Sequence, residues 1–260
     1  MKYRLLILLV FVSGLAWGQN SWLTARVGIA VEDMENTSLT NMAALGVGNA
    51  TGIGVSGHWR DKQLESGEAY LALGYFAYNF RAYNFRNSEH FIGDHEVGFG
   101  VQIYDGIYAG TSFHLNNKKN YGWNIQTLFR PSKWFSFAVK GNSLVSDSDS
   151  PASMELGVGL RPLSFNEYLA TRLTLFYDGA VTFNRGLYES SAVGLRISPI
   201  DILDIYGHWD FRSENFVVGM KLSFKYLLVG AEVPMKVGST PGEHFTTEAF
   251  VTWEEMHSSP

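Results

Sequence analysis

Apolar side chains recur at every second position through most of this chain. In 95–103, His95, Val97, Phe99, Val101 and Ile103 share one face, while Glu96, Gly98, Gly100 and Gln102 share the other. In 153–161, Met154, Leu156, Val158 and Leu160 oppose Ser153, Glu155, Gly157, Gly159 and Arg161. A period of two is the mark of a β-strand with unlike faces. Many such strands, closed on themselves, make a barrel with one greasy and one polar surface. In water the greasy surface must turn inward, and in a bilayer it must turn outward.

The first residues bear on that choice. Lys2 and Arg4 make a basic start, 5–12 is an apolar run, and Ala16-Trp17-Gly18 places small residues before Gln19. This is the layout of a cleavable export signal over 1–18, and the run is too short to span a bilayer as a helix. Without Lys2 and Arg4, 18 basic side chains face 25 acidic ones. That balance argues against a nucleic-acid partner. The chain has no Cys, so neither disulfides nor a lipid-modified cysteine enter the fold. No later segment reads as a helical span, and any membrane role falls to strands.

Thirteen strands are predicted: 50–60, 67–80, 94–104, 106–116, 121–130, 134–144, 153–162, 168–178, 187–197, 201–211, 214–224, 225–234 and 244–254, with 23–31 as a possible fourteenth. Asp105-Gly106, Asn116-Asn117, Arg130-Pro131-Ser132 and Asp178-Gly179 read as the turns between them. The even spacing, with no helical pattern between strands, predicts an all-β antiparallel meander. A dozen or more strands enclose an interior too wide for apolar side chains to fill. Tyr and Trp also gather near strand ends, as in interfacial girdles. The expectation is a transmembrane barrel of about 12–14 strands over 49–254, with a tail at 255–260. Its polar face would line the lumen with Glu96, Gln102, Asn124, Gln126, Lys140, Glu155, Arg161, Arg172, Asp204, His208 and Lys221. Such an interior either forms a wet pore or is plugged by its own hydrogen bonds.

Residues 25–47 do not fit the meander. An Ala/Gly-rich start leads to Glu32 and Asp33, then to Asn41-Met42-Ala43-Ala44-Leu45-Gly46. This stretch resembles the N-terminal region of bacterial outer-membrane barrels similar to the long-chain fatty-acid transporter. That superfamily also takes in the shuttle proteins of type nine secretion. Asn41, Ala43, Leu45 and Gly46 match its Asn-Pro-Ala-x-Leu-Gly motif, and Met42 stands where the family has Pro. The resemblance implies a barrel of roughly fourteen strands with a hatch, here 19–48, folded inside. Met42, unlike Pro, carries an N–H that needs a partner.

Catalytic and cofactor motifs are missing their context. Gly46-Val47-Gly48-Asn49-Ala50-Thr51-Gly52 displaces the third Gly of a dinucleotide loop by one and precedes no βαβ unit. Gly54-Val55-Ser56-Gly57-His58 brings the second Gly of a nucleophile elbow one residue early. His90 and His95, beside Asp94 and Glu96, match no ligand spacing, and Asp147 and Asp149 lack the remaining ligands of a calcium loop. No enzyme, cofactor or metal is expected.

The sequence therefore predicts a non-enzymatic outer-membrane barrel, a channel or carrier for small or apolar solutes. Its partners would be outer-membrane lipid and a hydrophobic small molecule or a secreted protein. Two alternatives stand beside it: a secretion-accessory barrel that binds proteins, and a soluble periplasmic β-protein.

Overall fold

The computed structural model describes residue 30 and residues 41–47, 51–61, 63–85, 91–146, 153–166, 168–170, 172–182, 191–211, 214–236 and 244–252. The signal-like segment, all but Ala30 of the strand expected at 23–31, most of 19–48, His90, Asp147, Asp149 and the tail lie outside them.

Fourteen antiparallel strands form one closed barrel in which each strand pairs with its sequence neighbours and β1 pairs with β14. They are β1 (Thr51–Arg60), β2 (Gln63–Leu73), β3 (Phe76–Tyr83), β4 (Ile92–Tyr104), β5 (Ile107–Asn116), β6 (Tyr121–Ser132) and β7 (Phe135–Ser146). The second half comprises β8 (Ser153–Leu160), β9 (Leu173–Thr182), β10 (Ser191–Ile200), β11 (Leu203–Asp210), β12 (Asn215–Phe224), β13 (Leu227–Lys236) and β14 (His244–Thr252). A 3-10 helix, Met42–Gly46, precedes them.

One rim, here the near rim, carries the start of β1, the end of β14 and most of the tight turns. There Leu73 pairs with Phe76, Tyr104 with Ile107, Ser132 with Phe135, Ile200 with Leu203 and Phe224 with Leu227. Gly74 and Gly106 hold φ of 62° and 70°, a left-handed conformation that a Cβ would strain. Most connections at the far rim, such as 84–91 and 183–190, are longer, and 61–62 between β1 and β2 is the short exception.

The fourteenth strand arises inside a segment expected to be one strand. The expected strand at 67–80 is a hairpin, β2–β3, turning at Gly74-Tyr75. A two-residue turn pairs residues 73 and 76 on the same face, so the inward parity switches from even in β2 to odd in β3. Glu68, Tyr70 and Ala72 point inward, followed by Ala77, Asn79 and Arg81. The expected start of β9 at 168 also moves, to Leu173. Asp178-Gly179 lies within β9 rather than in a turn.

Pro131 and Pro199, which fall in the turns expected after 121–130 and 187–197, lie inside strand ends instead, while Arg161-Pro162 lies just past β8. The register slips between Phe129 and Ser132 around Pro131, and between Ile197 and Ile200 around Pro199. Proline has no N–H for the ladder, so the strand bulges there and turns two residues later.

The outward face is apolar. Ile53, Val55, Val97 and Ile125 are 48–57% exposed although they lie in mid-strand. Glu96, Asn124, Gln126, His208, Lys221, Glu232 and Glu248 are buried on the opposite face. This is the reverse of a water-soluble barrel, whose apolar face packs inside. Large inner rings lie over glycines: a Cβ at Gly219 would strike the Tyr206 ring, and one at Gly52 the Phe250 ring. Aromatic side chains mark the near rim, where Tyr75, Tyr104, Trp134, Phe165, Tyr168 and Tyr226 are exposed.

An arginine at Ile125, in the middle of β6, should lower the stability of the barrel folded in a bilayer by about 2–4 kcal/mol. At Phe137, two residues from the near-rim turn, it should cost only about 0–1 kcal/mol. Denaturant titration of both variants in lipid vesicles checks the difference, and equal costs would contradict this facing.

Candidate functional site

The barrel interior has two levels. Toward the near rim an apolar cluster crosses it: Ala30, Met42, Ala43, Ala44 and Leu45 gather with Tyr70, Ala72, Ala77, Leu128, Ala138, Leu228 and Phe250, and Val47 and Tyr108 pack against them. These wall residues come from β2, β3, β6, β7, β13 and β14, so the cluster ties together walls from both sides of the barrel.

The 3-10 helix lies directly on the inner faces of β4 and β5. A Cβ at Gly98 would strike the Met42 side chain, one at Gly100 the Met42 carbonyl, and one at Gly110 the Ala43 backbone. Glycine at 100 and 110 lets two backbones approach with no side chain between them, and Gly98 makes room for the Met42 side chain. Gly46 sits equally close to the backbone of Val101 and Gln102. Asn41 starts the helix as its cap: its Oδ1 accepts from the Ala43 N–H at 3.0 Å and its carbonyl from the Ala44 N–H at 3.0 Å. The four residues Asn41, Ala43, Leu45 and Gly46, singled out in the sequence, are therefore all buried against the barrel wall.

Above this level the wall is polar. On the β2–β6 side, Arg81 Nε donates to Glu68 Oε1 at 2.9 Å, and Arg81 Nη1 lies 3.0 Å from Glu96 Oε2 and 4.0 Å from Asp94 Oδ2. Three carboxylates around one guanidinium suit its fork of donors. Glu96 also accepts from the Ser112 hydroxyl at 2.6 Å and from Asn124 Nδ2 at 3.3 Å. On the β10–β14 side, Lys221 Nζ lies 3.5 Å from Glu248 Oε1 and 5.7 Å from the centre of the Tyr206 ring. The Tyr206 hydroxyl donates to Glu232 Oε2 at 3.4 Å.

The remaining expected lumen residues scatter over the inner wall and the rim. Lys140 and Glu155 are half-buried register partners, and Asn142 donates to Glu155 at 2.7 Å. His208 is buried, 6.4 Å from the Phe176 ring, and Asp204 accepts from the Ser198 hydroxyl. Gln102 is exposed near the end of β4. Arg161 is buried just past β8 and donates its N–H to the Trp134 carbonyl at 2.8 Å. Arg172 lies in the near-rim connection before β9, where its Nη2 is 2.6 Å from the exposed Asp201 and its Nη1 donates to the Ser198 carbonyl at 3.1 Å.

Reading 67–80 as one strand hid Asn79 and Arg81, the partner that Glu68 faces. A single strand puts 79 and 81 on the outer face. The signal was present, because the large apolar residues change parity at Gly74, from Leu71 and Leu73 to Phe76, Tyr78 and Phe80. His95 faces outward, 2.7 Å from the Tyr78 hydroxyl, while Asp94 and Glu96 face inward. Strand alternation keeps these neighbours from converging on one ion.

No protein-family model matches the chain, and no curated protein matches its sequence. Solved structures do resemble it. The toluene transporter TodX of Pseudomonas putida aligns with a TM-score of 0.52 at 9% identity, covering 92% of this chain and 96% of that one. The outer membrane protein Omp33 of Acinetobacter baumannii aligns with a TM-score of 0.51 at 12% identity, covering 80% of this chain and 100% of that one. At this identity the shared property is the fold, a closed antiparallel barrel.

Replacing Arg81 by Met should leave Glu68 and Glu96 buried without their cation and destabilise the barrel by about 3 kcal/mol. The denaturation midpoint measures this, and replacing Lys118 in the exposed 117–120 turn should leave that midpoint unchanged.

Proposed function

We propose that the chain is a non-enzymatic outer-membrane barrel that passes or carries small solutes, closed toward its near rim by the segment around residues 41–47. The observation that carries this reading is the inversion of the fold, with apolar side chains exposed around the outside and ion pairs buried inside a closed barrel. Lipid is the environment in which that inversion is favourable. The closed ladder leaves no sheet edge to face hydrocarbon, and the rim aromatics suit a headgroup layer.

The finer reading is a member of the fatty-acid transporter-like group, with residues 19–48 as its hatch and an apolar solute as cargo. It rests on the Asn41–Gly46 motif and on the seat that those residues occupy. The fold shared with a toluene transporter is in keeping with it. On this reading Glu96, Asn124, Gln126, Lys140, Glu155, Asp204, His208 and Lys221 form the polar wall past which a solute moves, and the apolar cluster is the barrier at its end.

A barrel of this kind extracts only with detergent and runs as a compact band on a cold gel that shifts on boiling. Release by carbonate washing would overturn the membrane assignment. Purified protein in planar bilayers should conduct ions in brief openings, and a barrel lacking residues 19–47 should conduct continuously. Equal conductance from both would remove the segment's closing role.

A further inference from the structure

One run of hydrogen bonds starts at the buried ion cluster and ends on the backbone of the 3-10 helix. Arg81 holds Glu96. Glu96 Oε1 accepts from the Ser112 hydroxyl at 2.6 Å. Ser112 Oγ accepts from Asn124 Nδ2 at 3.1 Å and from Gln126 Nε2 at 3.2 Å. Gln126 Oε1 then accepts from the Met42 N–H. Glu96, Ser112, Asn124, Gln126 and Met42 are all buried.

We infer that Gln126 is the latch that holds the 41–47 segment in its closed seat, with Glu96 and Ser112 setting the direction of the latch. This rests on the proposed closing role of that segment. A carboxylate only accepts, so Glu96 fixes the Ser112 proton toward itself and leaves the Ser112 oxygen to accept. The Gln126 amide must then offer its N–H₂ to Ser112, which turns its carbonyl oxygen to the helix. The first N–H groups of a helix lack partners within it. Asn41 takes those of Ala43 and Ala44, and the Met42 N–H is left for the wall. The packing of the segment on Gly98, Gly100 and Gly110 of β4 and β5 is non-directional, and it sets closeness but not position along the wall.

The chain contains no cysteine, so one introduced thiol reports on the seat. Ala44→Cys, buried in the closed barrel, should react slowly with a membrane-impermeant maleimide. In the same background Gln126→Leu should speed labelling about tenfold, the scale of losing one buried hydrogen bond in a local opening equilibrium. Met42→Pro is tolerated at the first position of a helix and deletes the N–H, so it should speed labelling to the same extent. Met42→Leu, which keeps the N–H, should not. Combining Gln126→Leu with Met42→Pro should add nothing further. Labelling unchanged by both, or effects that multiply, would overturn the latch. If Gln126→Leu fails to give a heat-modifiable barrel, the Met42→Pro and Met42→Leu pair decides alone. Conductance is read separately: silent bilayers with latch-dependent labelling would sink the channel reading and leave the latch standing.

Discussion

Every strand of this barrel depends on the pairing of its first strand with its last. A strand edge in hydrocarbon leaves N–H and C=O groups without partners, at several kcal/mol each. Here β1 and β14 pair from Gly52↔Thr252 to Arg60↔His244, and the join is fastened from both sides. On the outer face Trp59 stacks on Phe245 at 5.8 Å and its indole N–H donates to the Thr247 hydroxyl at 3.0 Å. At the near end the Thr252 hydroxyl donates to the Thr51 carbonyl at 2.8 Å. Because closure satisfies the backbone, side chains on the two faces are free to differ as sharply as they do.

The interior follows from closure as well. Fourteen strands enclose more space than inward side chains can fill with apolar packing. The chain divides that space into an apolar floor built around the 3-10 helix and a polar upper wall in which charges are paired. Buried ion pairs contribute little net stability, but removing one partner is costly. Their arrangement therefore fixes where the inner groups sit more than it strengthens the fold.

The outward face was legible in the sequence because a period of two survives wherever one face is uniformly apolar, as in Val97–Ile103 and Met154–Leu160. Legibility failed where the period was interrupted without a strong turn residue. Gly74-Tyr75 carries one glycine between apolar runs, and merging β2 with β3 turned Asn79 and Arg81 the wrong way. Pro131 and Pro199 read as turns because proline is common in both turns and bulges, and only the ladder tells them apart. The pairing of Met42 with Gln126 joins residues 84 positions apart, and no local pattern encodes it. The sequence did show the need, since a residue other than proline at position 42 carries an N–H that must be bonded somewhere.

The join between β1 and β14 also has a meaning in time. Thr51 and Thr252 are 201 residues apart, whereas every other strand pair in the barrel joins chain neighbours. Neighbouring hairpins need only short loops closed, but the last ladder must bring the two ends of the sheet together, the largest entropic step. A sheet extended hairpin by hairpin keeps two open edges until that last ladder forms. Until it forms, β1 and β14 each present an edge open to pairing with another strand, and the step that removes the hazard is the same one that completes the wall.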